Sequence, residues 1–469
     1  MQEERRVSSI VLALINIFGG IIFGYNTGIV AMCNKPVAND FGYAGTDSES
    51  AKQGIFTGAV VLGAAIGSVG GGIFSDWLGR RWTMVITGAV STIGVLLTVI
   101  APSYWPLVIF RVILGLGVGL TSVACPVYVG EMAPDKRRGV LNSLFQVSLT
   151  IGIVIAYIFG FGLLKYNLSD SFRWRTMLAG GVLPSVHLLI MCLFMPESDQ
   201  WLRRKAAANK KKEQKLNLTE DGPLINTGAY ESQPSSSLVK TLKGLWSRPE
   251  GTVCPSVVIG TVLAFALQLT GINAIIYYAP QVLQGSVKFG SLSADDNESI
   301  ATILVGVWNF LSTLFALGLV DFTGRKPLML IGLILMTIGN VGTGLVFKFL
   351  SAGGAKTGLS ILGIVLFIGG FELGPGALFW VLLAEIFPGK VRDVGNSYVN
   401  MLQWSLNLLL SIVFPIVRGD DNQNLPYVFF FFGALALLCL GFVFFFVPET
   451  KGKNLEKEVV SVDGSQDYD

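Results

Sequence analysis

The chain has 469 residues, of which 52% are hydrophobic and 14% charged. A soluble globular domain carries about 25% charged residues, so that class is excluded. The formal net charge of +3 says little by itself, because in a membrane protein the placement of the basic residues carries the information.

Uncharged runs of about 18 residues or more, long enough to cross a bilayer, recur from end to end. The first, 7–32, follows a short basic start. It is too long for a secretory signal, lacks a small-residue cleavage pattern and contains Asn16 and Asn26, so it reads as a transmembrane helix. The predicted spans are 8–31, 53–75, 83–101, 105–130, 139–163 and 174–195, then 252–284, 299–320, 326–348, 358–388, 393–417 and 425–447. The expected fold class is therefore an all-α membrane protein, with twelve transmembrane helices in two pseudo-symmetric six-helix bundles, 1–195 and 252–450. Between them, 196–251 is the one long polar stretch and reads as a cytoplasmic linker. Its first part, with Arg203-Arg204-Lys205 and Lys210-Lys211-Lys212, is expected to be helical on the membrane surface, and its Ser/Pro-rich middle to be disordered. Residues 451–469 form a cytoplasmic tail, since the basic residues favour the N-terminal side and put both termini inside. Asn167 and Asn297 stand in glycosylation-type triplets on the outer side and are expected to be unmodified. The five cysteines are scattered and odd in number, with neither a metal spacing nor a disulfide framework, and read as packing residues.

An internal repeat is the most telling feature. Asp76-Trp77-Leu78-Gly79-Arg80-Arg81 and Asp321-Phe322-Thr323-Gly324-Arg325-Lys326 are matching charged turns half a chain apart. Glu131 with Arg138, and Glu385 with Arg392, form a second matched pair, seven residues from acid to base in each. Anchoring by the positive-inside rule accounts for the bases, but it needs no acids at matched places. Asp76, Arg80, Glu131, Arg138, Arg325, Glu385 and Arg392 are therefore read as a cytoplasmic gate that ties the bundles together in one state and releases them in another.

Polar residues inside the spans come next, because buried amides are costly unless paired. They include Gln146, Gln268, Asn273, Asn309, Gln403 and Asn407, with Trp380 and Trp404. A sugar hydroxyl both donates and accepts, and so does an amide. Tryptophan offers a flat apolar face to the C–H face of a pyranose. The set points to a neutral polyhydroxy ligand, with helix–helix hydrogen bonding as the rival explanation. Thr270-Gly271-Ile272-Asn273 and Gly374-Pro375-Gly376 are read as interruptions of helices seven and ten, of the kind that line a cavity. Glu372 and Arg111 are the charges deepest in the membrane, and each needs a partner. Helices one to six offer no mid-membrane carboxylate; Asn26 carries an amide, which cannot titrate. His187, the single histidine, reads as a packing residue.

By its motifs the chain resembles the sugar porter branch of the major facilitator superfamily, closest to the facilitative hexose transporters of eukaryotes. Over about residues 10–455 they are Gly24-Tyr25-Asn26-Thr27-Gly28, the first charged turn, Tyr128-Val129-Gly130-Glu131 through Arg138-Gly139, Pro196-Glu197-Ser198, Gln268 through Asn273 with Tyr277-Tyr278, Glu372 through Trp380, and Pro448-Glu449-Thr450-Lys451-Gly452. The resemblance implies that Gln146, Gln268, Asn273, Asn309 and Trp380 line a central sugar site, with Asn407 nearby. It implies that Glu372 helps couple binding to movement, and that Tyr277 and Tyr278 belong to an outer gate. Proton-coupled relatives carry an aspartate where Asn26 stands, paired with the arginine corresponding to Arg111. Several positions depart from the glucose-carrier pattern: Leu267 precedes Gln268 where a second glutamine is usual, and Ala264-Phe265-Ala266 replaces a Gln-Leu-Ser triplet.

The resemblance therefore implies facilitative uniport of a hexose, D-glucose first, across the plasma membrane by alternating access. A proton-coupled sugar or polyol symporter is the alternative, and a nutrient sensor with little flux a further one. No enzyme activity, cofactor, metal or nucleic-acid partner is expected. The partners are a hexose sugar and membrane lipid, with the monomer as the working unit.

Overall fold

The computed structural model describes residues 7–134, 136–220, 253–285, 287–351, 353–387, 392–419 and 422–451. Among them are twelve helices long and apolar enough to cross a membrane: α1 (Ser9–Asp40), α2 (Glu49–Leu78), α3 (Arg80–Val99), α4 (Tyr104–Met132), α5 (Arg138–Lys165), α6 (Asp170–Leu193), α7 (Pro255–Leu283), α8 (Ala294–Val320), α9 (Arg325–Phe349), α10 (Gly354–Leu383), α11 (Gly395–Arg418) and α12 (Leu425–Phe446). These are the twelve predicted spans, most of them longer than their apolar cores. Helix α1 runs on to Asp40 and α2 begins at Glu49, because helix geometry continues into polar sequence that a hydropathy reading stops at. A further helix, Asp199–Glu220, occupies the start of the linker as expected. The expected disorder in its middle, and the tail beyond Lys451, lie outside the described residues.

Helices are forced on these segments, since a backbone in hydrocarbon must satisfy its polar groups internally. Packing between them then depends on small residues. At Gly24 of α1 a Cβ would sit 1.8 Å from the main-chain oxygen of Leu149 in α5, so those two backbones touch. Within the first half α1 packs on α5, and α2 and α3 pack on α4. Within the second, α9 packs on α10 and α12, and α7 on α11.

The halves meet through α2 with α11, α5 with α8 and α1 with α7. The charged turns mark one face of the bundle, and the opposite face is called the far face. Gly54, near the far-face end of α2, lies against Ile412 and Pro415 of α11. Lys35 reaches Asp295 at 2.9 Å and Lys165 reaches Asp296 at 2.8 Å, both from the first half to the start of α8. The two halves are thus sealed at the far face.

Two local irregularities shape the middle of the second half. Helix α7 is broken where expected: one segment is Val253–Gln268, the next is Ile272–Leu283, and Gly271 between them has φ +106°. The expected interruption of α10 is corrected. The helix stays continuous by widening into a π turn, Glu372–Gly376. Longer-range bonding in such a turn accommodates Pro375, which has no N–H to offer.

Candidate functional site

The broken α7 presents its amides to α11. Gln268 Nε2 donates to Gln403 Oε1 at 2.7 Å, and Asn273 Nδ2 donates to Gln268 Oε1 at 2.6 Å. Gln403 Nε2 in turn donates to Asn400 Oδ1 at 3.0 Å. Four amides therefore form one ladder between α7 and α11. One turn toward the far face, Tyr277 donates to Asn407 Oδ1 at 3.3 Å. Gln403, noticed in the sequence among the polar residues of the spans, and Asn400, not noticed, complete the ladder; neither was among the residues the resemblance assigned to the sugar site. Their spacing along α11, with Asn407 a turn further, was the signal available.

Asn309 stands apart from this ladder, on α8. Its Nδ2 donates to Glu372 Oε1 at 2.7 Å, and Thr313 Oγ1 lies 3.0 Å from Glu372 Oε2. Glu372 is 2% exposed. The partner it needs is thus a pair of neutral polar groups rather than a cation.

Arg111 on α4 is fully buried. Its Nε donates to the main-chain oxygen of Phe56 at 2.9 Å, and its guanidinium lies 4.0 Å from the centre of the Phe56 ring. Among the described residues no carboxylate reaches it, and Nη2 has no partner. Asn26 does not fill that role: its Nδ2 folds back to the main-chain oxygen of Ile22 at 2.8 Å.

Aromatic residues lie on the boundary between the halves. Trp404 of α11 is buried and stacks on Phe23 of α1, 5.6 Å between ring centres, and its Nε1 has no partner among the described residues. A cavity of about 10 Å³ beside it is lined by Asn26, Thr27, Thr57 and Tyr277, room for one water-sized group. Sequence reasoning noticed Trp404 but gave the site to Trp380. Trp380 is 48% exposed and meets Phe379 edge-on. Gln146 is half-buried on α5, away from the ladder's hydrogen bonds. His187, expected as a packing residue, is exposed on α6, stacked on Phe18 with Nδ1 against the main-chain oxygen of Leu183. Asn297 is buried and holds the loop before α8 through Phe289 and Leu292.

The charged turns are built alike in the two halves. Arg80 is 4% exposed and holds Glu131 through Nε and Nη2 at 3.0–3.2 Å, while Nη1 donates to Ser75 O and Asp76 Oδ1. Glu131 also takes Ser198 and Arg204. Glu197 accepts the main-chain N–H groups of Arg80 and Arg81 at 2.8 and 3.1 Å. It caps the start of α3, where helical N–H groups lack internal partners. The second half repeats the design. Arg325 pairs with Glu385 at 3.4 Å, Thr450 bonds Glu385, and Glu449 accepts the N–H groups of Arg325 and Lys326 at 3.0 and 3.1 Å. Gly79 and Gly324, with φ +103° and +97°, make the turns that bring both caps in.

These ion pairs lie inside each half. In this conformation they lock helix ends within a bundle; the sequence reading has them tie the bundles together in one state and release them in another. Arg138 opens α5 beside this cluster; the side chain of Arg392 lies outside the described residues. Burial tends to raise the Glu449 carboxyl, but N–H groups of Lys451, Arg325, Lys326 and Thr450 outweigh it and hold it below its ordinary value.

Comparison with known proteins agrees with this architecture. A family profile described as "Sugar (and other) transporter" matches residues 12–459. The D-xylose transporter of Levilactobacillus brevis is 31% identical over 457 residues, covering 96% of this chain and 95% of that one. The galactose-proton symporter of Escherichia coli (strain K12) is 31% identical over 438 residues, 93% of this chain and 90% of that one. The inward-open structure of the xylose transporter XylE from E. coli superposes with a TM-score of 0.75 at 28% identity, covering 97% of this chain and 100% of that one. All three are transporters rather than enzymes.

Proposed function

Because this chain belongs to the sugar transporter family of the major facilitator superfamily, we propose that it carries a monosaccharide together with a proton across a membrane by alternating access. The observation that carries the substrate class is the amide ladder of Asn273, Gln268, Gln403 and Asn400. Such groups exchange hydrogen bonds with hydroxyls of either sense and discriminate against charge. In this reading Gln146, Gln268, Asn273, Asn309, Asn407 and Trp380 take up the sugar between the halves, and Trp404 adds an unpaired N–H. Tyr277 and Tyr278 close the far face, which would be extracellular, with both termini cytoplasmic and the plasma membrane as the site of action. A carrier must release its cargo, so binding in the millimolar range, about −4 kcal/mol, is expected.

Coupling to protons replaces the D-glucose uniport expected from the sequence. Its support is the similarity to a galactose-proton symporter along nine-tenths of the chain. Uniport stays as a second reading because of Asn26, whose amide cannot hold and release a proton. Proteoliposomes loaded with the purified protein decide between them. Labelled D-xylose, D-galactose and D-glucose are offered with and without an inward proton gradient. Accumulation above the external level under the gradient supports symport. Equilibration that ignores the gradient returns the reading to uniport, and no flux of any of the three moves it to polyols or sensing.

A further inference from the structure

We propose that Glu372 is the proton-binding group of this transporter and that Asn309 links its protonation to the sugar; the inference rests on the proton-coupled reading above. It begins from a count of hydrogens. Thr313 Oγ1 lies 3.0 Å from Glu372 Oε2 and 2.9 Å from the main-chain oxygen of Asn309. A threonine hydroxyl has one hydrogen to give. If it goes to Glu372, the Asn309 oxygen keeps its helical partner, the Thr313 N–H, and loses only the contact with the hydroxyl. If it goes to Asn309, the contact between Thr313 and Glu372 has a hydrogen only when the carboxyl supplies one. All three contacts close together in one arrangement: Asn309 Nδ2–H to Oε1, the carboxyl O–H of Glu372 to Thr313 Oγ1, and the Thr313 O–H to the Asn309 main-chain oxygen.

Surroundings reinforce the count. Glu372 is buried, and a charge there needs compensation. The segments packed against its π turn are α7, α8, α9 and the rest of α10. Helix α8 carries Asp295, Asp296 and Glu298 at its far-face end and Asp321 just past the other. Helix α9 carries Arg325 and Lys326 at one end and Lys348 at the other. Helix α10 carries Lys356 near its start, with Glu385 just beyond its end, and α7 carries neutral Tyr277 and Tyr278. The cation nearest in sequence register, Arg325, is engaged by Glu385. Among the described residues no cation forms an ion pair with Glu372.

Asn309 faces both ways. Gly306, one turn earlier on α8, lies against the Tyr157 ring of the first half, which places this side of α8 on the boundary between the halves. Asn309 gives one amide hydrogen to Glu372. Its second N–H and its Oδ1 have no other protein partner among the described residues, and are free for a sugar hydroxyl. A sugar that engages this amide alters the hydrogen bond that Glu372 receives, so binding of sugar and of proton are linked through one side chain. The step is a plain protonation: the carboxylate takes a proton from one side of the membrane, forming the O–H bond, and returns it on the other. The N-terminal half does not have to supply a carboxylate beside Arg111.

The test compares wild type with Glu372→Gln, whose neutral amide has the shape of the protonated acid. Both are reconstituted and assayed with labelled D-xylose, D-galactose and D-glucose for accumulation under an inward proton gradient and for sugar exchange at equal pH. The expected result is loss of accumulation in the variant, together with loss of any dependence of its remaining sugar exchange on the proton gradient. Infrared difference spectra of the purified proteins on adding the same sugars should show a protonated-carboxyl C=O band that shifts in wild type and is missing from the variant. Accumulation by Glu372→Gln equal to wild type overturns the assignment and leaves symport standing. Failure of wild type itself to accumulate overturns symport and this inference with it. If the variant proves inactive, the wild-type spectrum decides: a carboxyl band moved by sugar supports Glu372, and its absence rejects it.

Discussion

Tyr157 of α5 donates its hydroxyl hydrogen, at 2.7 Å, to the main-chain oxygen of Ile276, the oxygen that Pro280 leaves without a helical donor. In an α-helix the N–H of one residue bonds the carbonyl four residues earlier, and proline has none to give. The same device recurs on α11. Pro415 leaves the oxygen of Ser411 without a donor, and Tyr278 donates to it at 2.8 Å. Two prolines thus expose two carbonyls, and two tyrosines take them up, Tyr157 across the boundary between the halves and Tyr278 within the second half. Tyr277 and Tyr278 could be picked out through the family resemblance, which implies an outer gate there. Tyr157 could not, because its partner is a main-chain atom that no side-chain motif can advertise.

Removal of the Tyr157 bond should loosen the seal between the halves. Tyr157→Phe is expected to shift the balance toward far-face opening by about 1 kcal/mol, roughly fivefold. Pro280→Ala restores a competing N–H and should act in the same direction, with little added by combining the two. Spin labels on the far-face loops, read as distance populations in lipid, would register the shift. Unchanged populations in Tyr157→Phe would show that the bond has no part in closure.

The exposed pairs Lys35–Asp295 and Lys165–Asp296 cross the same boundary. Exposed ion pairs contribute about 0.2–1 kcal/mol and weaken with salt. Lys165→Glu should favour opening by a few-fold at low salt, and adding Asp296→Lys should reverse most of that change. A double variant that behaves as the sum of its parts would mean the two residues do not interact.

For the amide ladder, Gln268→Ala removes both the donor to Gln403 and the acceptor for Asn273. Loss of one to two hydrogen bonds to sugar, about 1–2 kcal/mol, should raise the half-saturating concentration about tenfold in sugar uptake. Expression and melting temperature should change little, because the residue bridges two helices already held by apolar packing. Normal uptake by this variant would take Gln268 out of the site.

Glu449 carries a pH prediction. Its carboxyl is held below its ordinary value by the N–H groups that cap α9. A folded-state value below the unfolded one, about 4.3 for glutamate, contributes stability above that pH and loses it as pH falls through the folded value. Glu449→Gln should therefore melt earlier than wild type at pH 7, with the gap closing below about pH 4. A gap that persists at acid pH would assign the effect to packing.

Much of this protein was written in its sequence. Twelve apolar runs determine twelve helices, because lipid offers the backbone no other partner. The repeated charged turns determined the two-half plan, since matched acids and bases recur at matched ends. The amides of α7 and α11 and the buried Glu372 could be picked out because polar residues are conspicuous in apolar spans. The tertiary structure decided everything that depends on a contact between distant segments. It turned the charged turns inward on their own halves, where Glu197 and Glu449 cap the helices that follow. It replaced the expected break in α10 by a π turn, and gave the paired carbonyls to Tyr157 and Tyr278. It also set Asn309 and Thr313 against Glu372. Helix formation is a local property of chain and solvent, whereas a hydrogen-bond partner 60 or 120 residues away is fixed only when whole helices have packed.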